Sequence, residues 1–310
     1  MQQNILVGHP KTLLTLLTLL LCLCAAGNLA AKESAEAQLL IVCSTTQVAD
    51  FARAVVGDDM RVICLLGAGA DPHTYQPTTA DAELVIQADL CLRNGMHLEG
   101  KDWMRSLADD AGKPLITCTD GITGLEIEED GHTLPDPHAW FDPANAAIYV
   151  RNIVAAVVAL DAGREAHYRA RAQLFLQQLK SLDAWIKAQV NAIPAERRVL
   201  VTSHDAFNYF CRAYGFTASA PVGWSTAELE GGMTPQRRAA VVESIRNNGV
   251  HAVFVETSVN PKVLQEIARE AGVRIGGELY SDAMGADGTA GETYIGMMRE
   301  NVITLVEALR

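Results

Sequence analysis

The chain has no His-Glu-x-x-His stretch, no Cys-x-x-Cys pair and no run of basic residues. The first absence removes the helix-borne zinc site of the common metalloproteases. The second removes the thiolate knuckle of structural zinc sites and the thioredoxin-like redox motif. The third argues against nucleic acid as a partner, because phosphate binding needs clustered Lys and Arg and the formal charge is -12. There is also no low-complexity tract and no strong internal repeat. What is present is a globular composition, 49% hydrophobic and 20% charged over 310 residues, enough for two domains with real cores.

Long apolar runs are scarce as well. The Leu-rich run Leu13–Leu23 is broken only by Thr15, Thr18 and Cys22. It is preceded by Lys11 and followed by small residues through Ala31, the order of a secretory signal. At about 11 residues it falls short of the roughly 20 that span a bilayer. Residues 1–31 are therefore set apart as a signal peptide cleaved near Ala30 or Ala31, which puts the mature chain in the periplasm. An uncleaved anchor is the alternative, as is lipidation at Cys22 or Cys24, although Leu21 and Leu23 stand where a lipid-attachment signal wants a small residue. No other stretch reads as a membrane span. Five cysteines follow the leader, Cys43, Cys64, Cys91, Cys118 and Cys211. Export permits disulfides, but spacing assigns no pairs, and buried inert thiols are the favoured reading.

From Leu39 onward, short apolar runs alternate with helical patterns. Strands are expected at 39–43, 61–66, 90–92 and 115–118, with helices at 47–56, 79–88 and 103–108 between them. Such alternation implies a parallel sheet covered on both faces. Asp142-Pro143 reads as an N-cap and first-turn proline opening a helix to Leu160. A longer helix follows over about 164–191, with Leu174, Phe175, Leu179, Leu182, Ile186 and Val190 marking one buried face. The alternation then restarts, with strands at 198–202, 216–222, 251–255 and 273–279. Helices are expected at 206–214, 235–247 (capped by Thr234), 261–270 and 293–309. The expected fold class is α/β, with two lobes of roughly four parallel strands joined by one long helix. The divisions are 38–162 for the first lobe, 163–193 for the linking helix and 194–310 for the second lobe.

In open α/β sheets ligands bind beyond the carboxyl ends of the strands. Asp71-Pro72-His73 follows the second expected strand, and Asp136-Pro137-His138 follows the fourth. Ser203-His204-Asp205 ends the first strand of the second lobe, and Ser281-Asp282 follows the last. Imidazole nitrogen and carboxylate oxygen suit borderline divalent metals, and four protein ligands would close the shell as a binding site does. Proline before His73 and His138 would pre-set both loops. Taken singly, a loop histidine is more often a surface residue than a ligand; the duplicated Asp-Pro-His and the matched positions are what favour a shared site.

These segments carry a family resemblance. DPHTYQPT at 71–78, NGMHLEG at 94–100, DPHAWFD at 136–142, RRVLVTSHDAFNYFCRAYGF at 197–216 and GGELYSDAMG at 276–285 occur in order. Together they resemble the zinc- and manganese-binding solute-binding proteins of ABC importers, the TroA-like group, over essentially everything after residue 38. The resemblance implies two α/β lobes, a rigid connecting helix and a metal buried between the lobes. It implies His73, His138, His204 and Asp282 as ligands of one Zn(II) or Mn(II) per chain, an ABC-importer permease as partner, and a monomeric carrier, not an enzyme. Zinc-specific relatives often carry a long His-rich loop before the second ligand. Here the stretch 124–135 is acidic and holds only His132, which keeps manganese open, while nitrogen-rich coordination slightly favours zinc.

The remaining candidates carry less. His97 and His132 are weak accessory ligands, and His167 and His251 read as packing or surface residues. Glu256, Asp136, Asp142 and Asp205 could orient ligand histidines, and Trp140 and Phe141 could wall the cleft. The alternative functions are a secreted zinc-dependent hydrolase using the same ligands, for which only Glu256 offers a general base, and a surface adhesin. Binding through histidine is expected to fail below about pH 5–6.

Overall fold

Leu40–Cys43 (β1), Arg61–Cys64 (β2), Leu90–Arg93 (β3) and Leu115–Thr117 (β4) form one parallel sheet in the order β2-β1-β3-β4. In register, Ile41 faces Val62 on one side and Leu90 on the other. Every residue of β1 is buried, as an apolar run covered on both faces requires. The strand order reverses between β1 and β3, so the crevice above their carboxyl ends is a topological switch point. The computed structural model describes residues 38–129, 132–218 and 234–310. The leader 1–31 with Cys22 and Cys24, and the end of the strand expected at 216–222, lie outside them. Contacts separate residues 1–39 from the unit Leu40–Arg310, which is the one described below.

The helices start where side chains can satisfy their first N–H groups. Thr45 caps Thr46–Val56 (α1) by accepting from Val48 N. Thr78 and Asp81 make a reciprocal capping box at Thr79–Gln87 (α2). Trp103–Asp110 (α3) completes the helices between the strands of this sheet. A hairpin, Glu126–Glu129 (β5) against His132–Pro135 (β6), stands where no strand was expected. Asp142 caps Pro143–Leu160 (α4), with Pro143 in the first turn as expected.

Pro143–Leu160 reaches the length and mean hydropathy, 1.4, of a membrane span, contrary to the expectation that no stretch beyond the leader would. Its apolar face is core: Ala146, Tyr149, Val150, Ile153 and Val157 are buried.

The linking helix, Glu165–Val190 (α5), has 26 residues and is therefore about 39 Å long. Phe175, Leu179, Leu182, Ile186 and Val190 form its buried seam, but Leu174 is 60% exposed. Leu174 sits one position off the three- and four-residue rhythm, and one residue turns a helix by about 100°. It therefore leaves the face on which the sequence placed it.

Beyond α5 the strands restart. Val199–Leu200 (β7) pairs in parallel with Thr217–Ala218 (β8), and Asn208–Tyr214 (α6) lies between them. Thr234 caps Pro235–Asn247 (α7). Ala252–Glu256 (β9) and Arg274–Leu279 (β10) pair in parallel around Lys262–Ala271 (α8). Phe254 N donates to Val201 O at 2.9 Å, tying β9 to the chain just past β7. Val201, Val241, Ile245, Val253, Leu264 and Ile267 are the core of this lobe. The last helix, Tyr294–Leu309 (α9), packs on β10 and returns to α5 and α1. Tyr294 donates its N–H to Asp50 and its hydroxyl hydrogen to Trp140 O. The fold is thus α/β, with two lobes joined by one long helix.

Candidate metal centre

The two Asp-Pro-His segments fold alike. Asp71 Oδ1 accepts from His73 N at 2.8 Å, and Asp136 Oδ1 accepts from His138 N at 2.9 Å. Each aspartate closes a turn on its own backbone two residues on, a habit of Asp in loops, and each turn presents the histidine that follows proline. They differ in one respect. Asp136 Oδ1 also stands 2.9 Å from His138 Nδ1.

His204 follows β7. Its N–H donates to Glu256 Oε1 at 2.9 Å, and its carbonyl accepts from the Thr202 hydroxyl at 2.8 Å. Its Nδ1 lies 2.8 Å from Glu256 Oε2, close but without hydrogen-bond alignment. Asp282 follows β10. The Gln47 side chain donates to Ser281 O at 3.1 Å, and the Ser258 hydroxyl donates to Asp282 Oδ2 at 3.1 Å.

These loops bring His73, His138, His204 and Asp282 together, with one ligand atom from each within 4.8 Å of all the others. His73 Nε2 and His138 Nε2 are 3.3 Å apart, His138 Nε2 and Asp282 Oδ1 3.3 Å, and His204 Nε2 and Asp282 Oδ2 3.2 Å. His73 Nε2 lies 3.9 Å from Asp282 Oδ1. Ligand atoms around a four-coordinate zinc stand about 3.3–3.4 Å apart, given bonds of roughly 2.0–2.1 Å. Three of these four separations match that spacing, and the fourth, from His73 to Asp282, is wider. Two facing Nε2 atoms cannot both be protonated and bond to each other, so at least one offers a lone pair. His204 Nε2 and Asp282 Oδ1 are buried without a hydrogen-bond partner, as metal-ligating atoms would be in the absence of their ion.

Burial is uneven. His138, His204 and Asp282 are buried, whereas the His73 side chain keeps 17% exposure. Burial disfavours charged imidazole, but Asp136 and Asp282 outweigh it and lift His138 to about 9. His204 is likewise raised, by Asp282 and Glu256 against burial. Burial alone would raise Asp282, but His204 and His138 reverse this and hold it well below the usual carboxylate range. Trp140 walls the site, its ring 5.4 Å from that of His138, and Phe141 stacks on Phe207 at 4.3 Å.

The other candidates stand apart from the four. His97 and His132 are exposed, as are His167 and His251. Asp142 caps α4 through Ala144 N instead of orienting a ligand, since its oxygen is committed to the helix start. Asp205, raised to about 6 by burial, neighbours His204 without bonding its ring. Residues that the sequence did not mark include Asn208 and Tyr209. Asn208 donates to Asp136 Oδ2 at 3.1 Å, and the Tyr209 hydroxyl donates to Asp136 O at 2.9 Å while accepting from Leu125 N at 3.0 Å. Nothing in their types distinguishes them from ordinary helix residues.

Comparison with known proteins adds to this geometry. The family described as zinc-uptake complex component A, periplasmic, matches residues 41–308. The manganese-binding lipoprotein MntA of Halalkalibacterium halodurans is 36% identical over 288 residues, covering 92% of this chain and 93% of its own. The zinc-binding protein TroA of Treponema pallidum is 36% identical over 284 residues, with 89% and 90% covered. The solved structure of that periplasmic zinc-binding protein superposes with a TM-score of 0.81 at 34% identity, over 88% of this chain and 99% of that one. A manganese-bound periplasmic metal-binding protein from Candidatus Liberibacter asiaticus gives 0.78 at 27% identity, over 88% and 100%.

Proposed function

Since this chain belongs to the zinc-uptake component A family of metal-binding ABC-transporter proteins, we propose that it captures Zn(II) or Mn(II) outside the cytoplasm and delivers it to a membrane permease. The family is one of substrate-binding proteins and not of enzymes. The single observation that carries the proposal is the convergence of three imidazoles on both oxygens of Asp282. In it, His73, His138, His204 and Asp282 are the four ligands of one metal ion per chain. Two come from the lobe at 38–162 and two from the lobe at 194–310, with 163–193 between them, so the bound ion ties the lobes together. The Leu-rich leader and relatives named periplasmic or lipoprotein support a site of action outside the cytoplasm. The carrier acts as a monomer.

Zinc is favoured over manganese because three nitrogen donors suit it better in the intrinsic affinity order. Relatives named for each metal keep manganese in play. A hydrolase would need an open coordination position for water, and four protein donors at this spacing leave none.

Titration of purified protein with zinc and manganese in competition tests the proposal. One ion per chain is expected, with binding weakened at least 100-fold by His73→Ala or Asp282→Ala, about 2.7 kcal/mol. Unchanged stoichiometry and affinity in both variants would sink the ligand assignment.

A further inference from the structure

The segment Asn94–Trp103 leaves β3 at the switch point of the first sheet and touches both Asp-Pro-His turns at equivalent atoms. The Trp103 indole N–H donates to Pro72 O at 3.1 Å, and the Asn94 side-chain amide donates to Pro137 O at 3.0 Å. Both bonds are buried, and each ends on the carbonyl of the proline that precedes a histidine of the site. Gly100 adds a third contact. A Cβ there would stand 2.3 Å from His73 O, and its backbone has φ +50°. Only glycine lets the two backbones approach this closely.

The segment is held in a conformation that L side chains rarely adopt. Met96, His97 and Asp102 have φ of 53°, 67° and 61°. Non-glycine residues stay there only where their surroundings over-determine them. The buried Glu99 carboxylate supplies that constraint, accepting from Asn94 N at 2.7 Å, Gly95 N at 3.0 Å and the Ser44 hydroxyl at 2.7 Å. Arg93 pairs with Asp102 across the base of the loop. Asn94 Oδ1 in turn accepts from the Tyr149 hydroxyl at 2.5 Å, anchoring the loop to α4.

We infer that Asn94–Trp103 is a positioning loop that fixes the separation of His73 from His138, with Gly100 and Trp103 acting through His73. Of the four clustered residues, His73 is the one the loop governs most. It is the partly exposed member, and the hydrogen bond from Asp71 in its own loop reaches its backbone and not its ring. The loop therefore sets how far His73 can lean from the cluster and how tightly it closes on an ion. The inference rests on the ligand set proposed above.

The test compares Gly100→Ala and Trp103→Phe in the wild-type and His73→Ala backgrounds. Zn(II) affinity is read by chelator competition, and Co(II) coordination by its visible absorption. Each change is expected to weaken Zn(II) binding about 10- to 100-fold in the wild type, the usual effect of disturbing a group behind a ligand. In the His73→Ala background each should change affinity less than about twofold, because contacts acting through one residue are not additive with its removal. The Co(II) spectrum of Trp103→Phe should move toward that of His73→Ala. Trp103→Phe keeps a ring against Tyr75, 5.1 Å away, and so carries the test where Gly100→Ala does not fold. Equal losses in both backgrounds, or full wild-type affinity in Trp103→Phe, would overturn the inference while leaving the ligand set standing. An unaffected His73→Ala would remove the ligand set itself.

Discussion

Asn208 donates to Asp136 Oδ2 at 3.1 Å, and the other oxygen of that carboxylate lies 2.9 Å from His138 Nδ1. Asn208 belongs to the turn of chain that carries His204, and its amide also donates to Asp205 O. The two histidines come from different lobes, yet one brace runs behind both. Tyr209 reinforces it by bonding Asp136 O and Leu125 N with a single hydroxyl. A displacement of the His204 segment therefore pulls on the group that orients His138, a route by which small loop shifts would loosen more than one of the proposed ligands at once.

The brace predicts a kinetic effect. Asn208→Ala should speed metal dissociation about tenfold, in line with losses behind ligating histidines. Tyr209→Phe leaves the buried Asp136 carbonyl and the half-buried Leu125 N–H without this partner and should lower stability by about 1–3 kcal/mol. Stopped-flow chelation and urea unfolding measure the two. A dissociation rate unchanged in Asn208→Ala would show that Asp136 holds His138 without help from the second lobe.

Glu256 has the corresponding place behind His204, with Oε1 on the backbone N–H and Oε2 2.8 Å from Nδ1. Glu256→Gln preserves shape and removes charge. It should reduce Zn(II) affinity about 10- to 100-fold, because a carboxylate behind a ligating imidazole raises its basicity. Calorimetric titration decides this, and wild-type affinity in Glu256→Gln would reduce Glu256 to a wall residue.

Much of this site is legible in the sequence because the strand ends are. The apolar runs that form β1 to β4, β9 and β10 are short and bounded; Asp282 lies just beyond β10 and His204 just beyond β7, whereas His138 follows the β5–β6 hairpin and not β4 itself. The duplicated Asp-Pro-His carries its own turn chemistry. Other features depend on tertiary context that residue type does not encode. Met96, His97 and Asp102 adopt positive φ without a glycine to announce it. The hairpin of β5 and β6 is acidic at Glu126 and has little apolar alternation to mark it. Asn208 and Tyr209 matter because of what α6 faces, and Leu174 misled because one residue off the seam still looks periodic.

The five cysteines should be chemically silent in the folded protein. Cys43, Cys64, Cys91, Cys118 and Cys211 are free. Burial pushes Cys64 and Cys211 up to about 12 and Cys91 to about 11, and raises Cys43 and Cys118 as well. Thiolate is the reactive form, and so little of it exists at neutral pH. Alkylation at pH 7.5 followed by mass spectrometry should label none of the five under native conditions and all five in denaturant. A thiol missing from the denatured count would reveal a disulfide and contradict this expectation.

The pH dependence follows from protons occupying the site when the metal does not. His138, at about 9 in the folded protein, lies above its ordinary value of about 6.5. Its pairing with Asp136 and Asp282 stabilises the metal-free protein fully below about pH 6.5, and that stability is lost as pH rises toward about 9. Asp282, held below its usual range, sets the acid limit, since its contribution is lost as pH falls through its lowered value. A metal needs neutral imidazole, so binding must expel the His138 proton across the neutral range. The decline in affinity expected from unperturbed histidines near pH 5–6 should therefore begin higher, with affinity still climbing between about pH 6.5 and 9. Thermal unfolding with and without zinc over this range measures both sides. The metal-free midpoint should fall with rising pH while the increment from zinc grows, and a zinc increment constant over this range would rule out displacement of a proton from His138.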